Sequence, residues 1–161
     1  MASRKPLVVV AGQVQQIQAG DTLDAVIGGG DQVNLTNGEA TPVVIGAPVY
    51  LSANGTFKKA QANAAGTKDV IGVVAQSPSI ANAAIGPVTT DGIVTATTAE
   101  WDAVTGQVGG LVFNTLYFLD PATAGKLAPA GPSTVGQYVV PVGRAISTTE
   151  LQVRVGTSIL L

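Results

Sequence analysis

Enzyme chemistry at neutral pH draws on a short set of side chains, and this sequence lacks the most versatile of them. It contains no histidine and no cysteine. That removes the usual general base, every Ser-His-Asp arrangement, thiolate nucleophiles and zinc–sulfur sites. Ten carboxylates remain, and most, such as Asp91 and Asp120, stand at predicted turns, where aspartate commonly caps backbone amides. A carboxylate pair for glycoside hydrolysis assembles only in space, and nothing in the spacing marks one.

Two glycine-rich stretches invite comparison with phosphate loops. "DPATAGKL", residues 120–127, has the Gly-Lys of a P-loop, but Asp120 replaces the first glycine and Leu127 the Ser or Thr after the lysine. "IGGGDQVN", residues 27–34, lacks dinucleotide-loop spacing and no helix pattern follows it. Both read as turn or hinge. No EF-hand spacing occurs. The sequence therefore predicts no enzyme, no cofactor and no metal.

At 161 residues the chain suits one domain with an extension. Only 11% of its residues are charged, against about 25% in ordinary soluble proteins. Either the surface is neutral and polar, rich in Ala, Thr, Gly, Ser and Asn, or much of it is covered by other copies or a larger assembly. The net charge of −2 and scattered basic residues leave no stripe for phosphates, so nucleic acid is not an expected partner. Leu7 to Ala11 is too short an apolar run for a secretory signal, and Val43 to Leu51 is broken by Gly46 and Pro48. These features predict a soluble, uncleaved chain without a membrane partner.

The elements that must position any site are mostly strands. From about residue 32 onward, short β-rich runs alternate with turn residues. Asn37-Gly38, Asn54-Gly55 and Asp91-Gly92 mark hairpins, most clearly in "PVTTDGIVTA" and "VYLSANGTFKKA". The pattern predicts an all-β fold, a compact barrel or sandwich of short antiparallel strands. One short helix is expected over about 97–105, because Thr97 and Glu100 are spaced as a capping box and Gly106 suits the left-handed residue past its end. Trp101, the only tryptophan, reads as a plug packing that helix onto the sheet.

A weak two-fold echo spans about 43–96 and 110–161 within a β-rich domain of residues 32–161. "VYLSANGTFKKA" with "DVIGVVAQS" is matched by "LYFLDPATAGKLAPA" with "QYVVPVGRAIS". It equates Tyr50 with Tyr117, Gly55 with Gly125, and Val70, Gly72 and Val73 with Val139, Pro141 and Val142. Two copies suit a pseudo-symmetric sandwich or two small barrels better than a solenoid.

Residues 1–31 read differently, as an extended N-terminal arm ending in the hinge Gly28-Gly29-Gly30. Its candidate interaction residues are Lys5, Pro6, Leu7, Val8, Val9, Val10, Val14 and Ile17. The amides at 13, 15, 16 and 18 suit strand-edge pairing with another chain, and an edge strand of the chain's own sheet is the other reading. The apolar end Ile159-Leu160-Leu161 is expected to be packed, into its own core or against a neighbour.

"RKPLVVVAGQVQQIQAGDTLD" resembles a segment of tailed-bacteriophage structural proteins. "DVIGVVAQS", "TTAEWDAVTG" and "GQYVVPVGRAISTTELQVRV" are similar to modules shared by head-decoration, head-fibre and tail-fibre subunits. The resemblance covers most of the chain and implies a homotrimer on the virion, made in the host bacterial cytoplasm. It implies a capsid decoration or cement protein partnered by the major capsid protein, with Lys5 to Ile17 touching the shell or a neighbouring subunit. The rival is a tail-fibre subunit that recognises the host surface. An exposed aromatic at a loop tip would favour that rival, and Tyr50, Tyr117, Tyr138 and Trp101, taken as the only plausible platforms, all lie in contexts that predict burial.

Overall fold

The computed structural model describes residues 31–161, together with the backbone of two strands nearer the N-terminus. Those two, β1 (Leu7–Val10) and β2 (Gln13–Gln16), pair with each other as an antiparallel ribbon. The chain continues through β3 (Gln32–Asn37), β4 (Val43–Val44), β5 (Pro48–Ala53), β6 (Thr56–Lys59) and β7 (Val70–Val74). Next come β8 (Ser79–Ile80), β9 (Ile85–Thr89), β10 (Asp91–Thr95) and the helix α1 (Thr98–Thr105). It ends with β11 (Leu116–Leu119), β12 (Leu127–Ala128), β13 (Tyr138–Val139), β14 (Pro141–Ala145), β15 (Glu150–Arg154) and β16 (Ile159–Leu160).

The fold is all-β with one short helix, as the turn chemistry predicts. Strands β3-β6-β5-β7-β9 form a closed barrel, and β10-β15-β14-β11-β12 an open five-stranded sheet. Two short ribbons, β4-β8 and β13-β16, complete the described pairing. Starting the barrel at β6 gives β6-β5-β7-β9-β3, which matches β12-β11-β14-β15-β10 strand for strand. The register repeats as well. Val49 faces Gly72 and Tyr50 faces Val70 across one bulge; Tyr117 faces Gly143 and Phe118 faces Pro141 across another.

This corrects the residue equivalences read from the sequence. Tyr117 matches Val49 rather than Tyr50, and Gly72 matches Gly143 rather than Pro141. Position in a ladder is set by pairing and bulges, which similarity of short apolar strings does not reveal. Each glycine lies where a Cβ would press into a backbone carbonyl of the adjoining strand, Thr89 for Gly72 and Gln152 for Gly143.

The two halves part at closure. Thr36 and Asn37 extend β3 to pair in parallel with Thr56 and Phe57 of β6. Carried through the β9 and β15 registers, their counterparts are Thr97 and Thr98. There the capping box forms: the Thr97 hydroxyl accepts from Glu100 N, the Glu100 carboxylate accepts from Thr97 N, and Gly106 ends the helix in the left-handed conformation. The second half thus enters α1 where the first half closes its barrel.

Packing follows the same division. Val43, Ala47, Val49, Phe57, Val74, Ile80 and Val88 fill one cluster, drawn from the barrel and the β4–β8 ribbon. A larger cluster joins barrel residues such as Val70 and Val73 to Trp101, Val104, Tyr117, Leu119 and Leu151. Trp101 is fully buried, and its Nε1 donates to Thr149 O at 2.9 Å. On its other side a Cβ at Gly46 would come within 2.7 Å of the indole. The expected plug is present, and it bears on both halves.

Two local expectations need correction. Asp91-Gly92 makes no hairpin: β9 already pairs with β3 and β7, so both its edges are occupied and β10 pairs with β15 instead. Asn37-Gly38 makes none either. Asn37 is 1% exposed, and its amide donates to the carbonyls of Thr41, Ile80 and Ala81 while its Oδ1 accepts from Glu39 N. Only Asn54-Gly55 turns one strand back on its neighbour, β5 to β6. Of the two readings of the C-terminal end, packing into its own core is not the one found: Ile159 and Leu160 are 60% and 59% exposed, held by backbone pairing with β13.

Replacing Gly72 or Gly143 by Ala is expected to destabilise the fold by about 1–3 kcal/mol each through forced backbone displacement. Urea denaturation followed by Trp101 emission measures both, and a neutral Gly143→Ala would contradict the shared geometry. Asn37→Asp places a carboxylate against three carbonyls in a buried site and should cost about 3 kcal/mol or more. The same change at the exposed Asn54 should be close to neutral.

Candidate interaction surfaces

Several carboxylates of the described residues hold backbone amides. Asp102 accepts from the amides of Gly109 and Gly110 at 3.2 and 2.7 Å. Asp120 accepts from Ala122 and Thr123, and Glu39 from Lys59 N at 2.9 Å. No group of three or more potential metal ligands occurs among the described residues, and no described helix is long and apolar enough to cross a membrane. In the P-loop-like turn, Gly125 N donates to Ala60 O at 2.8 Å and the Lys126 ammonium to Ala103 O. That lysine ties the turn to α1.

Glu100 has the most perturbed environment. Its carboxylate accepts from the Ser77 hydroxyl at 2.6 Å and from the Thr97 amide and hydroxyl, both at 2.8 Å. These bonds, Ser77 first, hold its pKa below the ordinary value of 4.5 against slight desolvation. The group helps join the segment before β8 to the helix start.

Exposed apolar side chains supply the features that a fold does not need for itself. The loop from α1 to β11 displays Val108 at 97%, Val112 at 51% and Phe113 at 71% exposure. Its backbone is nonetheless moored at several points. Leu111 N donates to Thr148 O, Val112 N to the Tyr117 hydroxyl, and Asn114 N to Ala145 O, at 2.9 to 3.0 Å. The Tyr117 hydroxyl in turn donates to Gln107 Oε1 at 2.6 Å, and Arg144 Nη1 donates to Asn114 O at 2.8 Å. Ile146, 37% exposed, follows Ala145 at the foot of the same loop. A second patch comprises Val135 and the ribbon end Ile159 to Leu161, closed by Gly136 N to Leu161 O at 2.9 Å.

Of the candidate arm residues, Leu7, Val8, Val9 and Val10 form β1 and Val14 lies in β2, where it faces Val9. Their side chains, and Lys5, Pro6, Ile17 and the Gly28-Gly29-Gly30 hinge, lie outside the described residues. Trp101 and Tyr117 are fully buried, as their contexts predict, whereas Tyr50 and Tyr138 are only half-buried. The exposed aromatic at a loop tip is instead Phe113, which the sequence pattern does not single out as a platform. The uncharged string "GGLVFN" just past the helix end was the available signal, since a rigid glycine corner followed by apolar residues either packs or displays them. Leu111 packs, and Val112 and Phe113 are displayed.

No family model, curated protein or solved structure matches this chain.

Because the folded-state pKa of Glu100 is lowered, its stabilisation is complete above the unfolded value and is lost as pH falls through the folded one. Thermal melts read by Trp101 emission from pH 7 to pH 3 should therefore show a drop in Tm that is smaller in Glu100→Gln. Equal acid sensitivity of the two proteins would assign the loss to other carboxylates.

Proposed function

We propose that the protein is a decoration subunit of a tailed-bacteriophage head, which binds the outer surface of the shell as a homotrimer and stabilises contacts between capsid subunits. It acts by assembly rather than by catalysis. The observation that carries the reading is the moored loop bearing Val108, Val112 and Phe113, an apolar display on a chain that is only 11% charged. Apolar groups on a preorganised backbone lose little entropy on docking, so the geometry suits a permanent partner. The resemblance of the opening stretch and the closing modules to phage structural proteins supports the same reading.

A cement subunit stabilises a shell by mass action, since it binds the assembled form and not its parts. Three copies on one rigid body multiply modest contacts through effective concentration. The exposed Ile159 to Leu161 patch gives each copy a second apolar contact.

Phe113 also favours a second reading, a tail-fibre subunit that recognises the host surface, because an exposed aromatic at a loop tip can stack on a sugar or insert into a receptor pocket. Immunogold labelling of virions of the parent phage with antibody against residues 32–161 separates the two. Label over the head is expected; label confined to the tail replaces the decoration reading with the fibre one. Phe113→Ala should lower head occupancy about tenfold at limiting protein, the loss typical of an anchoring aromatic.

A further inference from the structure

We propose that β1 of one copy adds as an extra strand to the open edge of β10 in a second copy, so that the N-terminal ribbon straps neighbouring subunits together. The inference rests on the homotrimeric reading above and names the surface that the ribbon meets. Hydrogen-bonding parity identifies the edge. Ala96 N donates to Thr149 O at 3.0 Å, continuing the β10–β15 ladder. Alternate residues Gly92 and Val94 thus turn their backbone groups toward β15, and Ile93 and Thr95 turn theirs away. Both outward residues are exposed, Ile93 at 42%. No Lys, Arg or Pro stands between Gly92 and Thr95, although such residues commonly blunt an edge whose free N–H and C=O groups would template pairing.

The ribbon has the complementary need. Two strands alone are marginally stable in water, and a third gives them a sheet to belong to. β1 reads Leu-Val-Val-Val and β2 Gln-Val-Gln-Gln. Addition through β1 places the β-branched strand in the middle and leaves the amide-rich strand as the new outer edge. The fourteen residues 17–30 separate β2 from Asp31 and can span roughly 46 Å when extended. Asp31 itself is moored at the start of β10, its carbonyl accepting from Thr90 N at 2.8 Å and Thr90 Oγ1 at 2.9 Å. Among the described ladders of one chain, the ribbon pairs only with itself and β10 only with β15. Pairing between copies satisfies both, and a head-to-tail contact of this kind, closed as a ring, leaves no ribbon and no β10 edge unpaired.

The test is the solution mass by light scattering of three proteins: the full chain, a chain lacking residues 1–16, and Ile93→Pro, which removes an outward-facing donor and leaves the β10–β15 bonds in place. Hydrogen exchange of the Ile93 and Thr95 amides accompanies it. The full chain is expected at three chain masses and both variants at one, with Trp101 emission unchanged. Both amides should exchange at least tenfold faster after truncation. A trimer that survives truncation overturns the strap and leaves the trimeric reading intact. A monomeric full chain whose amides lose protection on truncation overturns it in favour of a ribbon folded onto its own β10. A monomer whose amides are unprotected throughout removes strap and trimer together.

Discussion

The burial of Trp101 is the contact on which the two halves of this molecule depend. The indole is enclosed on one side by the turn at Gly46, which belongs to the barrel, and on the other by the segment around Thr149, which joins β14 to β15. A tryptophan brings the largest apolar surface of any side chain, but its N–H must find an acceptor when buried. Thr149 O supplies it. Truncation of a buried aromatic of this size costs about 3–5 kcal/mol, a large part of the stability of an ordinary domain. Helix, barrel and open sheet therefore stand or fall together, and Glu100, bonded to Ser77 and Thr97, fixes the helix start in the same seam.

The shared strand order makes clear why a seam is needed. Each half has a central hairpin strand, a bulged neighbour that carries a glycine next to its extra residue, and two further antiparallel strands. The first half carries its leading strand far enough to meet β6 and close. In the second, the capping box turns the chain into α1 at the corresponding residues, and the helix is stitched to the β12 turn through Lys126 and Ala103. Closure gives one half an interior of its own. The open half fills its core against the helix and barrel residues such as Val70 and Val73, which draws the two into one body.

This division of labour also explains the surface. Several carboxylates that might have served chemistry are committed to backbone amides, as at Asp102, Asp120 and Glu39. Asp102 holds the first corner of the loop that displays Val112 and Phe113, so a charged residue is spent on stiffening an apolar one. Rigid backbone beneath exposed apolar side chains is costly for a monomer in water and well suited to a surface meant to be covered.

Local chemistry made several elements legible in advance. The helix at 97–105 could be read because its cap is a set of hydrogen bonds within four residues, and the all-β class because β-branched runs and turn residues act at short range. The Asn54-Gly55 turn was legible for the same reason. Asp91-Gly92 and Asn37-Gly38 carry hairpin signals too, yet one leads β10 into a different sheet and the other is a buried amide binding carbonyls more than forty residues away. Phe113 likewise looks like a core residue until the bonds to Thr148, Tyr117 and Ala145 hold its loop at the surface. The amino-acid sequence by itself determined the strand-rich class and the capped helix, and that these 161 residues hold no histidine or thiol, because these follow from residue type and near neighbours. Only the tertiary structure decided which strands pair, where one half closes and the other opens, and which apolar side chains face outward, because these depend on which edges are already occupied by partners distant in the chain.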